Sequence, residues 1–241
     1  MKTTFIFLLL CIFNFHLNYA QESVFSFFEY KLKEGMREQF INGYEKDLEW
    51  HQSQKDDWAW VGWFVINGER RGRFIDATPD HQWSDFDRWK VNGAENARHN
   101  NIHWTPYVEK PSGSYKSLLK EYSHYQQDWY KKPYLQVYHL EIKHGQGATF
   151  RTFLRDYKAQ LQTQLKEVSF IWMKTVSGGT THAYQLFVSL NKLEELRWCE
   201  NLFGFSETTT KLAQEYSQSV KSNTSELWKY SARLSAYPEA N

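Results

Sequence analysis

The sequence is nearly without cysteine. Among 241 residues only Cys11 and Cys199 are cysteines, and Cys11 lies in an apolar leader, so the remainder can form no internal disulfide. A fold without that staple must be held by its core. Charge of one sign is also scarce. Lysine and arginine number 29 against 28 acids, and the leader carries one of the lysines and no acid. A chain so evenly balanced offers no basic surface for a nucleic-acid backbone. Long apolar runs are confined to the start. There MKTTFIFLLLCIFNFHLNYA (1–20) sets Lys2 before an apolar run from Phe5 to Phe15 and ends on small Ala20. That is the pattern of a secretory signal peptide cleaved near Ala20, and its run is shorter than the roughly 20 residues of a spanning helix. Cys11 follows Leu10, whereas a lipid-anchored cysteine usually follows a small residue. The expectation is a secreted or periplasmic protein with no membrane span. A glycine-rich phosphate loop, a nucleophile elbow and a paired-cysteine metal site are missing as well. No resident metal is expected from such motifs.

What the chain does have is aromatic rings. It carries 11 Trp, 15 Tyr and 17 Phe in a sequence whose mean hydropathy is -0.70. The stretch DDWAWVGWFVING (56–68) alone holds Trp58, Trp60, Trp63 and Phe64. It has a counterpart 110 residues on: WAWVGWFVINGERRGRF (58–74) lies over VSFIWMKTVSGGTTHAY (168–184), with Gly68 on Gly178. KLKEGMREQF (31–40) likewise lies over EIKHGQGATF (141–150), and HQWSDFD (81–87) over NKLEELR (191–197). The order of pattern types, rather than identity, argues for a duplication.

Each copy reads alike. Phe28, Tyr30 and Leu32, matched by Tyr138, Leu140 and Ile142, fall on one face of a strand. A K-x-G turn then opens a helix striped by Met36, Phe40, Tyr44, Leu48 and His51, or by Phe150, Leu154, Tyr157, Leu161 and Leu165. A hairpin with a glycine turn follows, then a helix over roughly 83–103 or 191–220, then a strand near 114–122 or 224–231. The order β-α-β-β-α-β is the ferredoxin-like split unit. The expected class is α+β, two tandem units at 21–132 and 133–241 after the leader.

This order, with its K-x-G turns and aromatic hairpins, resembles the dimeric α+β barrel superfamily, which includes the antibiotic-biosynthesis monooxygenases and NIPSNAP-like proteins. The resemblance implies two four-stranded sheets closed into a barrel, helices outside, with the two copies forming a pseudo-dimer within one chain. It also implies outer surfaces on which a homodimer can form. Cofactor-free oxygenation, cyclisation or elimination, and haem binding in some members, are the chemistries it brings; no other cofactor is expected. With export, a lyase-type proton abstraction from an acidic sugar fits as well as monooxygenase-like chemistry on an aromatic compound. A non-catalytic binding or assembly protein is the competing reading.

Candidates for chemistry are polar residues among the aromatics. Glu29 and Lys31 fall opposite in phase to Phe28 and Tyr30, and His139 and Glu141 are their counterparts. A carboxylate beside a histidine is a general acid/base pair, and a solvated set of charges is the bland alternative. His51 stands where the second copy has Leu161; it is either a core histidine or a base. ENARHNNIHWTPY (95–107) places His99 and His103 four apart, with Asn100 between, as substrate contacts, iron ligands or loop residues. Arg73, in the second hairpin strand, would hold an anionic group. Trp60 and Trp63 would take a flat organic ligand, or simply fill the core. Gly62 beside them, where the second copy has Trp172, would leave room for it.

Overall fold

The computed structural model describes residues 22–109, 111–166, 168–205 and 210–238, and the leader read as a signal peptide lies outside them. Each strand alternates its side chains between two faces. Along β1 (Val24–Tyr30) this sends Phe25, Phe27 and Glu29 one way, with Phe28 and Tyr30 the other. A turn then delivers the chain into α1 (Arg37–Ser53), with Gly35 at a positive φ of 73° that side-chain-bearing residues avoid. Gly145, at 77°, does the same before α4 (Gly147–Gln164). Phe40, Tyr44, Leu48 and His51 are buried along α1, and Phe150, Leu154, Tyr157 and Leu161 along α4, as the stripes predict, while Met36 stands exposed at the N-cap of α1.

Between these lie β2 (Val61–Asn67), β3 (Phe74–His81), α2 (Trp83–Phe86), α3 (Gly93–His103), β4 (Ser112–Leu118) and β5 (Tyr134–Ile142). After α4 come β6 (Phe170–Ser177), β7 (Ala183–Leu190), α5 (Thr210–Ser219) and β8 (Val220–Tyr230). The long helix expected over 83–103 is two helices. Asn92 restarts it by accepting from the backbone N–H groups of Ala94 and Glu95 at 3.0 and 3.2 Å. The stretch 191–220 likewise divides into a 3-10 turn, Leu193–Cys199, and α5.

The eight strands close into an antiparallel ring in the order β1-β3-β2-β8-β5-β7-β6-β4, with β4 back on β1. Two seams join the halves, β2 with β8 and β4 with β6. Three apolar clusters follow. The barrel interior holds Phe25, Phe27, Trp63, Trp129, Phe187 and Trp228; the outer clusters lie beneath α1 with α3, and beneath α4 with α5.

This ring accounts for the tryptophan-rich stretch. Trp63 is 1% exposed inside the barrel, while Trp60 lies on the opposite face of β2 among the outer residues. One ligand therefore cannot sit between them, as the sequence had suggested. Gly62 leaves no vacancy either. A Cβ there would meet the Leu234 carbonyl oxygen at 2.3 Å and Phe74 at 2.7 Å, so glycine admits a crossing backbone segment rather than a ligand. No helix among the described residues is long and apolar enough to cross a membrane.

Candidate functional site at the barrel mouth

The barrel interior changes character towards one end. Two residues along β1 from Phe27 stands Glu29; on β5 His139 follows Val137, and on β6 Thr175 follows Met173. On the antiparallel partners Glu226 precedes Trp228, Gln185 precedes Phe187, and Lys116 precedes Leu118. The aromatic filling is thus capped by a polar layer. Pairing of His139 with Gln185 and of Lys116 with Thr175 fixes its register. Arg70, on the β2–β3 hairpin, reaches over this layer and lines the same cleft of about 330 Å³.

The layer is densely connected. The Arg70 guanidinium bonds both Glu29 and Glu226, and Arg73 also bonds Glu29. Glu226 Oε1 accepts from the Trp228 indole at 2.7 Å and from His139 Nε2 at 2.8 Å, while His139 Nδ1 accepts from the Gln185 amide at 2.8 Å. Arg70 also reaches His139 Nε2, at 3.2 Å, so both ring nitrogens are engaged. Burial pushes the Glu226 carboxyl up, but the hydrogen bonds of His139 and Arg70 and the guanidinium charge outweigh it, holding it at about 2.

Lys116 differs from its neighbours. It is 8% exposed, and its Nζ donates to Ser114 Oγ at 2.9 Å and lies 5.1 Å over the Phe27 ring. Among the described residues no carboxylate comes within ion-pair distance of it. Burial, then the charge of Arg70, lowers its ammonium to about 8, against a smaller opposing pull from Glu29.

Of the residues singled out in sequence, the structure brings Glu29, His139 and Arg73 together here. Lys31 and Glu141 are instead surface partners of Glu109 and Lys221. His51, Trp60, His99, Asn100 and His103 lie in or beside the outer layer of the first half. His51 is 2% exposed, and its Nδ1 meets Asp56 at 2.8 Å. Asp56 also accepts from the indoles of Trp60 and Trp89 at 3.0 and 3.2 Å. His99 Nδ1 meets Asp47 at 3.1 Å; its ring stacks on Trp50 and lies against His103. Asn100 Oδ1 is buried without a partner.

Haem ligation needs an imidazole nitrogen free to bind iron beside room for the macrocycle. His51 is buried against the rings of Trp50, Trp60 and Trp89, which leaves no room for a macrocycle; both nitrogens of His139 are engaged, and His99 and His103 ride on α3 outside the barrel, whose interior is filled by rings. The histidines singled out in sequence do not fit haem.

Lys116, Gln185, Glu226 and Arg70 are the site residues that sequence reading did not select. Alternation held the signal for Glu226, two positions before a core tryptophan. Arg70 shares the hairpin stretch GERRGRF with Arg71 and Arg73, and only the folded turn shows that it reaches over the mouth.

No protein-family model matches the chain, and no curated protein matches it either. Solved structures do. A candidate monooxygenase of Lactobacillus acidophilus NCFM aligns with a TM-score of 0.58 at 11% identity, over 90% of this chain and 97% of its own. An anthrone oxidase-like protein aligns with a TM-score of 0.57 at 6% identity, over 88% and 92%. A chlorite dismutase variant from Candidatus Nitrospira defluvii aligns with a TM-score of 0.58 at 9% identity, over 88% and 92%. At such identities the likeness is one of fold alone, the closed α+β barrel described above.

Proposed function

We propose that this chain is an exported ligand-handling barrel of two tandem ferredoxin-like halves, 21–132 and 133–241. Its mouth binds a small carboxylate-bearing molecule, an acidic sugar or an aromatic acid, and moves a proton on it without a cofactor. The observation that carries this reading is Lys116. Its neighbours Arg70, Arg73, Glu29 and Glu226 are paired with one another, so the buried ammonium is the excess charge of the mouth. A buried cation without a counter-charge is costly, and a bound carboxylate supplies the missing partner.

His139 is placed to hold the proton. Gln185 Oε1 is buried and unpartnered, so turning that amide would let it accept from Nδ1–H of an imidazolium whose Nε2–H already faces Glu226. The aromatic filling below limits the ligand to the mouth, and this favours a second reading in which the chain binds its ligand and releases it unchanged.

Calorimetry with glucuronate, galacturonate and benzoate against their neutral counterparts tests the binding. Lys116→Met should weaken the acids by about tenfold or more, the value of a charge-assisted hydrogen bond. Equal affinity in variant and parent, or binding of the neutral compounds alone, removes the mouth as the anion site. Ligand proton exchange in D2O, lost in His139→Ala with binding kept, separates the enzyme from the binding protein.

A further inference from the structure

Two arginines already stand at the mouth, and arginine is the better residue for clamping a carboxylate. Lysine adds what arginine cannot, a nitrogen that can lose its proton and become a nucleophile. The surroundings of Lys116 suit that use. Its stem is fixed on β4 and buried, among the described residues no carboxylate lies within ion-pair distance of it, and a second cation, Arg70, lines the same cleft. Desolvation and a neighbouring cation are the two devices that activate an amine for imine formation. The Ser114 hydroxyl at 2.9 Å can pass a proton to and from Nζ, and Thr175 is the register partner of Lys116 across the β4–β6 seam.

We propose that Lys116 forms a Schiff base with a small acid carrying a carbonyl next to its carboxylate, a 2-oxo acid. This rests on the reading of the mouth as an anion site and names the chemistry done there. The neutral Nζ adds to the carbonyl carbon, forming a C–N bond as the π electrons move to oxygen, which takes a proton. The carbinolamine then loses that oxygen as water while nitrogen gives up its remaining proton, so amine and carbonyl become imine and water with no oxidant or reductant. Protonated, the imine draws electrons from the adjacent C–H bond, and His139 takes the proton released. The ammonium value of about 8 leaves a neutral fraction near pH 7 on the order of a hundredfold above that of a solvent lysine.

Pyruvate is the probe, with lactate, its analogue without the carbonyl, as comparator. The full chain is incubated with each near pH 7 and pulsed with borohydride, which reduces an imine to a stable amine. It is then read by intact mass and peptide mapping, with calorimetry alongside. The expected result is one adduct per chain with pyruvate and none with lactate, on Lys116 on the order of tenfold or more above any other lysine. Lys116→Arg should keep binding both acids and lose the adduct. Binding of pyruvate with no adduct, or adducts spread over surface lysines, overturns the Schiff base and leaves the anion site standing. Absence of both binding and adduct overturns both.

Discussion

At the scale of single residues, Lys116 carries a cost that its neighbours do not. Its folded value, about 8, lies below the ordinary 10.5, so between those values the unfolded chain binds the proton that the folded chain refuses. Stability therefore rises with pH across that window, and the penalty is full below it. Lys116→Met fills similar space without the charge and should stabilise the fold at pH 7 on the order of 1–3 kcal/mol, with the gain fading as pH approaches 10.5. Denaturant melts at both pH values check this. A variant less stable than the parent at pH 7 would make Lys116 a structural residue. Glu226 runs the other way: held at about 2, it strengthens the fold above its ordinary value of 4.5 and loses that contribution progressively as pH falls from there to about 2.

At the scale of elements, the outer layer of the first half is tied by a buried carboxyl. Asp76 on β3 accepts from the hydroxyls of Tyr30 on β1, at 3.1 Å, and Tyr44 on α1. Burial raises it to about 7, against the two tyrosine hydrogen bonds, with the charge of Asp47 adding to the rise. A carboxyl raised in the folded state gives stability that is present in acid and lost as pH climbs through the folded value. The parent should thus lose on the order of 2–4 kcal/mol between about pH 4 and pH 8 from this group, and Asp76→Asn should flatten that slope. Melts across the range decide it; parallel curves for parent and variant would remove Asp76 as the titrating group. Sequence showed these elements well. Alternation gave β1 and β5, helical spacing gave α1 and α4, and Glu29 with His139 followed from their phase. It failed where tertiary geometry decides. Trp60 and Trp63 share a strand but not a face, and His51 Nδ1 is held by Asp56, a partner that no period announces. The break at Asn92 lies in a residue type that favours an N-cap, a signal weaker than the helical pattern on either side of it.

At the scale of the molecule, the ring depends on both halves. Each contributes four neighbouring strands, and the seams β2–β8 and β4–β6 complete the hydrogen bonding of the outermost ones. The interior cluster takes Phe27 and Trp63 from the first half and Phe187 and Trp228 from the second, in contact across the middle. Neither half can bury its concave aromatic face alone, and separation would bare two strand edges on each, the condition under which sheets pair with a copy of themselves. If the halves are tandem versions of one unit, the separated first half, residues 21–132, should replace its missing partner with a second copy. Light scattering after size exclusion should then report a dimer, or larger species, where the full chain supplies both halves itself. A folded, monomeric 21–132 fragment would show that the first half closes its own core. The seams would then join two finished domains, and the mouth, drawing Glu29 and Arg70 from one half and His139 and Glu226 from the other, would be an interdomain site instead of the end of a single barrel.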